Sequence, residues 1–173
     1  MIQRLKALPE IRITMVCMGN ICRSPMAAAV LSNRTAGWTN PRITVDSSGT
    51  GAWHIGQGAH PTSKKVWEAA GYTHQHKARQ FKSTDFFTTD LILVMDSNNF
   101  QNVMKLADSQ ESRNKVFYLR NFDESLKSID PQSQDYFKLE VPDPYNQSVE
   151  AYEETLAMIE QAVSGLLQEL SHQ

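Results

Sequence analysis

The sequence predicts an α/β fold, a single domain built on a four-stranded parallel sheet. Four short apolar runs, at 11–16, 42–46, 91–95 and 115–119, alternate with helix-forming stretches, the order that gives parallel strands joined by crossovers. Leu91-Ile92-Leu93-Val94-Met95 is apolar throughout, as a central parallel strand covered on both faces must be. The length of 173 residues suits one domain over 1–173, with residues 1–9 as a short N-terminal extension.

The elements follow in order. Ile11-Arg12-Ile13-Thr14-Met15-Val16 reads as the first strand and is followed by the loop Cys17-Met18-Gly19-Asn20-Ile21-Cys22-Arg23-Ser24. A helix over about 25–36 is expected next, with Ser24 as its N-cap, Pro25 at its first position and Gly37 at its end. Arg42–Asp46 reads as the second strand, and Ser47–His54 as a turn-rich loop. Pro61–Gly71 reads as a short helix stopped by Gly71. The third strand ends at Met95, and Asp96-Ser97-Asn98-Asn99 supplies caps for a helix to about Ala107. Lys115–Leu119 is the fourth strand, and 120–141 is irregular. In the closing helix Val149, Tyr152, Leu156, Ile159, Val163, Leu166 and Leu170 recur every three or four residues, which marks a core-facing stripe.

The chemistry concentrates in the first strand-to-helix loop, at the carboxyl end of a strand, where open α/β sheets bind ligands. A helix N-terminus offers free N–H groups and partial positive charge to an anion. Gly19 and Asn20 tolerate the positive φ that turns successive amides toward one point. Arg23 adds a planar fork of donors matched to two phosphate oxygens. A phosphate-sized dianion is the expected occupant. The same field favours the thiolate of Cys17 at the base of the cradle, a nucleophile in line with a bound phosphoryl group, and Ser24 can donate a hydrogen bond to it. A lone cysteine at a strand end would more often be inert and buried. The Arg six positions on, the Gly and Asn between, and the Ser-Pro that follows reverse that judgement.

Cys17-x5-Arg23-Ser24, with Gly19, Asn20 and Cys22 inside it, resembles the signature of the low-molecular-weight protein tyrosine phosphatase family. The resemblance runs from about Ile11 to the last helix. It implies a twisted four-stranded parallel sheet with helices on both faces (phosphotyrosine phosphatase I-like). It implies a protein-tyrosine phosphatase with Cys17 as nucleophile, Arg23 as phosphate ligand and Met18, Gly19, Asn20, Ile21, Cys22 and Ser24 as the rest of the phosphate loop. Asp143, held between Pro142 and Pro144 on a stiffened loop, takes the place of the family's general acid, because a phenolate of pKa near ~10 leaves more readily when protonated.

Trp53 is read evenly from the residues as a packing residue or a substrate contact, and the resemblance favours contact with the phosphorylated ring, with Tyr145 opposite. Ser47 and His76 are implied to support the loop through Asn20. Met95-Asp96-Ser97-Asn98 also resembles the family, and Asp96 lies at a strand's carboxyl end toward the active-site region, but capping is the simpler reading and is preferred. The family pairs its two loop cysteines to protect the nucleophile, here Cys17 and Cys22, whereas simple packing of Cys22 under the loop is the alternative. Asn146 departs from the pattern, since many members carry a second aromatic there.

Composition narrows the partners. A formal charge of −2 and a pI near 6.2 give no reason to expect nucleic acid or an anionic membrane. No run approaches the ~20 apolar residues of a membrane span, and no signal-peptide core precedes the first strand. Two cysteines five positions apart suit a reduced, cytoplasmic setting rather than a disulfide scaffold. The partner expected is a phosphotyrosine-containing protein, with the enzyme a monomer or weak homodimer. No cofactor and no metal is expected, and His74 and His76 have no further ligands clustered with them.

Three other readings of the loop are disfavoured by particular residues. Arsenate reductases of this fold relay electrons through further cysteines, which are missing here. Arginine phosphatases tend to carry Thr where this chain has Ile21, and a branched apolar side chain suits an aryl group better. A phosphate-binding or redox-sensing module without turnover would not need Asp143.

Overall fold

A computed structural model describes residues 1–171. Four parallel strands, β1 (Glu10–Cys17), β2 (Arg42–Gly49), β3 (Leu91–Val94) and β4 (Val116–Tyr118), form one sheet in the order β2-β1-β3-β4. Six helices connect or flank them: α1 (Arg23–Arg34), α2 (Pro61–Ala69), α3 (Asp85–Thr88), α4 (Ser97–Met104), α5 (Gln110–Arg113) and α6 (Val149–Leu170).

Strand alternation sorts side chains onto two cores. Ile11, Ile13, Met15, Leu91 and Leu93 face α1, α2 and α6, while Val16, Ile92 and Val94 face the opposite layer with Val103 of α4 and Phe86 of α3. The central strand β3 is therefore apolar on both faces, as the unbroken run 91–95 predicts, whereas β1 carries Arg12 and Thr14 beside Val16 on its second face. Ile2 and Leu5, ahead of β1 in a short 3₁₀ turn over Gln3–Ala7, are buried in the first of these cores.

Several local expectations change. Ser24 is not the N-cap of α1: the helix starts at Arg23, Cys22 occupies the cap position, and no side chain caps it. Strand β2 runs on to Gly49 because its last residues pair along β1 as far as Cys17. Gly71 does end α2, with a φ of +93° that its missing Cβ permits. Helix α4 is shorter than expected, ending at Met104, and α3 and α5 were not foreseen. The 120–141 stretch contains brief 3₁₀ turns at Glu124–Leu126 and Tyr136–Leu139. Along α6 the predicted stripe is buried except for Val149, which lies 45% exposed in the first turn. Among the described residues no helix is long and apolar enough to cross a membrane.

The strand order places the site. Connections leave β1 toward β2 on one side and reach β3 on the other, so the β1 and β3 carboxyl ends flank the switch point where α/β sheets bind ligands. Cys17 ends β1, and Asp96 follows β3 by two residues.

Candidate active site

The loop from Cys17 to Arg23 is held from outside by its carbonyl oxygens. Thr50 N donates to Cys17 O, Gly51 N to Met18 O and His60 N to Ile21 O, each at 2.8–2.9 Å. His76 Nε2 donates to Asn20 O at 2.6 Å, and Ser63 Oγ to Cys22 O at 2.8 Å. In a trans peptide the N–H points opposite to the preceding C=O. Five outward carbonyls thus set the amides of 18, 19, 21, 22 and 23 on the inner side of the loop. Among the described residues the amides of 19–23 donate to no protein acceptor. This is an anion nest closed by a helix N-terminus.

Asn20 is the residue that lets the chain turn, with φ of 57°. Gly19, expected to share that role, does not have positive φ. Its use is space: a Cβ there would lie 3.1 Å from Cδ2 of His54, whose ring rests over it. Asn20 is fully buried and saturated, donating from Nδ2 to Ser24 Oγ (2.8 Å) and Ser47 Oγ (2.9 Å) while Oδ1 accepts from Arg79 N (3.0 Å). Arg79 is in turn clamped between Asp46 and Asp85. His76 bears on the same network, with Nδ1 3.5 Å from Ser47 Oγ. Its Nε2 faces a carbonyl and so carries a proton, which leaves Nδ1 to accept from Ser47 whenever the ring is neutral. Burial lowers its pKa below the ordinary value, and the Asn20 carbonyl offsets only part of that.

Cys17 Sγ lies 3.0 Å from Ser24 Oγ. Ser24 accepts from Asn20, so its own proton faces the sulfur and, at 3.4 Å, the Ser48 carbonyl. Arg23 is buried, with Nη1 2.6 Å from Asp96 Oδ2 and 2.9 Å from the Val141 carbonyl, and Nη2 3.7 Å from Asp143 Oδ2. Burial disfavours the guanidinium charge, yet Cys17, Asp96 and Asp143 outweigh it and raise its pKa. Asp96 also accepts from Asn99 N at 2.8 Å in a capping box. The capping role read from sequence is therefore real, but its other oxygen holds Arg23, and that was missed. Its signals were its place at a strand's carboxyl end and the resemblance of Met95-Asp96-Ser97-Asn98 to the family.

Asp143 is half exposed at the mouth. Its Oδ1 accepts from Tyr145 N at 3.1 Å, leaving Oδ2 toward Arg23. Asn146 takes the left-handed φ of 61° in the turn closed by Gln147 N on Pro144 O. Trp53, 70% exposed, and Tyr145, 47% exposed, stand as walls of a slot of about 150 Å³ whose lining includes Cys17, Met18, Ile21, Arg23, His54 and Asp143. Trp53 is exposed rather than partly buried, and its ring lies against Gly51.

Cys22, under the loop, is buried. Burial pushes its pKa up to about 12, and its Sγ lies 3.6 Å from the Tyr152 hydroxyl. Tyr152 stacks on His60, which meets Tyr145 edge-on. Sequence reading did not foresee His60 or His54. Among the described residues no group of three or more His, Cys, Asp or Glu forms a metal-binding cluster.

A parallel sheet with inward amides gathered at its switch point defines an α/β protein with an anion-sized cradle, and comparison with known proteins supplies the family. The family model for low molecular weight phosphotyrosine protein phosphatase matches residues 12–173. A low molecular weight protein-tyrosine-phosphatase of Streptomyces coelicolor is 40% identical over 158 residues, covering 90% of this chain and 91% of that protein. The crystal structure of a protein tyrosine phosphatase from Entamoeba histolytica superposes with a TM-score of 0.80 at 29% identity, over 92% of this chain and 96% of that one. An arginine phosphatase from Geobacillus stearothermophilus shares the fold at a TM-score of 0.75 and 27% identity, over 92% of each chain. The chain belongs to the low molecular weight phosphotyrosine protein phosphatase family. It is a hydrolase of the protein-tyrosine-phosphatase class.

Proposed function

We propose that the protein hydrolyses phosphotyrosine in proteins through a cysteinyl-phosphate intermediate, with the whole chain acting as one domain. The thiolate of Cys17 attacks phosphorus in line, and the bond to the tyrosyl oxygen breaks as Asp143 delivers its proton to that oxygen. The inward amides and Arg23 take the negative charge of the equatorial oxygens. Water, deprotonated by the Asp143 carboxylate, then attacks phosphorus, and Cys17 leaves with the Ser24 hydroxyl donating to its sulfur.

The observation that carries this reading is the meeting of the five inward amides, the Arg23 guanidinium and Cys17 Sγ beside Ser24 Oγ at 3.0 Å. Such a cradle supplies the positive field that a metal would otherwise bring. Asp143 at the mouth gives the acid that a phenolate requires and that mere binding would not. Ile21 in the lining, with Trp53 and Tyr145 as walls, favours an aryl group over a guanidinium-linked phosphate. Ser47 and His76 act by holding Asn20. Two free cysteines suit a reducing, cytoplasmic compartment in which Cys22 can protect Cys17 by pairing with it after oxidation.

The test is hydrolysis of p-nitrophenyl phosphate across pH 4–8 with a chelator present, for wild type and Cys17→Ser. Activity in chelator that disappears in the variant is the expected result. A well-folded wild type without activity would overturn the reading. Arg23→Ala should lower kcat/KM by about 10²–10³, the loss seen when one oxyanion donor is removed.

A further inference from the structure

A second concavity opens beside the slot and shares two of its walls. Met18 and Trp53 line both the slot and a groove of about 840 Å³ that runs between the loop after β2 and helix α4. Its charged lining consists of Lys82 and Lys105, and among the described residues no carboxylate lines it. Both lysines are exposed, and neither ammonium lies within 4.0 Å of a carboxylate among the described residues. The neighbouring Asp85 is turned to Arg79 and to the Lys82 amide. A locally cationic trough therefore sits on a chain whose formal charge is −2. Buried Phe81 and half-exposed Leu106 give it apolar surface as well.

We propose that this groove binds the acidic flank of the phosphoprotein substrate, an extended peptide segment with Asp or Glu within a few residues of the phosphotyrosine. The proposal rests on the phosphotyrosine reading of the slot. Shared walls make the occupant of the groove continuous with the occupant of the slot, and an extended chain advances only ~3.3 Å per residue, so a few residues carry it from one to the other. Two unpaired ammonium groups attract carboxylates, and the apolar surface takes the side chains between them. Nucleic acid would need a longer row of cations than the groove holds.

Two phosphotyrosyl peptides, one with Glu flanking and one with Gln in its place, would be compared on wild type and on Lys82→Glu/Lys105→Glu, with p-nitrophenyl phosphate as the small-substrate control. Wild type should favour the acidic peptide by about 3- to 10-fold in kcat/KM, through KM, since exposed pairs are individually weak. The preference should vanish or reverse in the double variant and shrink in high salt, with p-nitrophenyl phosphate turnover unchanged. No preference in wild type, or the same preference in the variant, would overturn the proposal. Wild type inert toward p-nitrophenyl phosphate would instead sink the phosphatase reading. The groove would then be decided by fluorescence anisotropy of the labelled peptides on Cys17→Ser and on Cys17→Ser with both lysines reversed. Tighter binding of the acidic peptide, lost on reversal, sustains it, and equal binding refutes it. Equally tight capture of a single-stranded oligonucleotide would refute the peptide assignment.

Discussion

Gly165 of α6 lies against the carbonyl of Phe122, so close that a Cβ at this position would sit 1.7 Å from that oxygen. Neither side can yield cheaply: the oxygen belongs to the backbone of a 3₁₀ turn, Leu119–Phe122, and α6 buries Tyr152, Ile159, Val163 and Leu166. Gly165→Ala should therefore destabilise the fold by about 2–3 kcal/mol, at the upper end of overpacking costs, despite alanine's better helix propensity. Urea unfolding measures this. A variant as stable as wild type would show that α6 can shift without loss.

The Arg23–Asp96 pair predicts a separation of two effects. Asp96→Asn keeps an acceptor for Asn99 N but removes the charge facing Arg23. On the proposed mechanism kcat/KM should fall about 10- to 100-fold, as for a charge-assisted hydrogen bond of roughly 1.5–3 kcal/mol, and the melting temperature should fall as well, because buried Arg23 loses a charge that offsets its burial. Asp96→Ala should show the same kinetic loss and lose about a further 1 kcal/mol of stability with the cap. Steady-state kinetics and thermal melts of both variants check this.

Cys22 is kept protonated by burial, its pKa near 12, so peroxide should react first at Cys17. The resulting sulfenic acid can condense with the Cys22 thiol, releasing water and forming a disulfide that dithiothreitol reverses. Wild type should recover most activity after peroxide and reductant. Cys22→Ser should recover little, with Cys17 found as sulfinic acid by mass spectrometry.

Burial holds His76 below the ordinary histidine pKa of 6.5, and burial together with His76 does the same for His74. As pH falls below about 6.5 the unfolded chain binds protons that these rings refuse in the native state, so their contribution favours unfolding increasingly down to the depressed values and is level above 6.5. Stability should thus drop between pH 7 and pH 5. The drop should be smaller in His74→Gln/His76→Gln, measured by urea unfolding at both pH values. An identical pH slope in the double variant would show that the rings are not the titrating groups.

Much of this was readable in the chain because it is local. The run 91–95, the Cys17–Ser24 loop and the Asp143 turn each declare themselves within a few residues, and the sheet and family follow from them. What escaped reading depends on chain segments that meet only in the fold. Nothing near Asp96 says that it faces Arg23, 73 positions away. The reason for Gly19 lies in the His54 ring, and the Ser24 hydroxyl, expected at a helix cap, is instead engaged by Asn20 and Cys17 inside a helix that starts at Arg23. Val149 kept the period of α6 but sits in its first turn, beyond the reach of the core.

Arg23 has no moment without an anion. Before substrate arrives its two amino groups already face Asp96 and Asp143. A phosphate entering the slot must compete for the second of these groups, and the carboxylate it displaces is the one proposed to carry the proton. Occupancy of the cradle and readiness of the acid are then a single event. The same rivalry works in reverse after hydrolysis: once Asp143 gives up the proton it took from water, its carboxylate can return to Arg23 in place of the product, which favours turnover over storage.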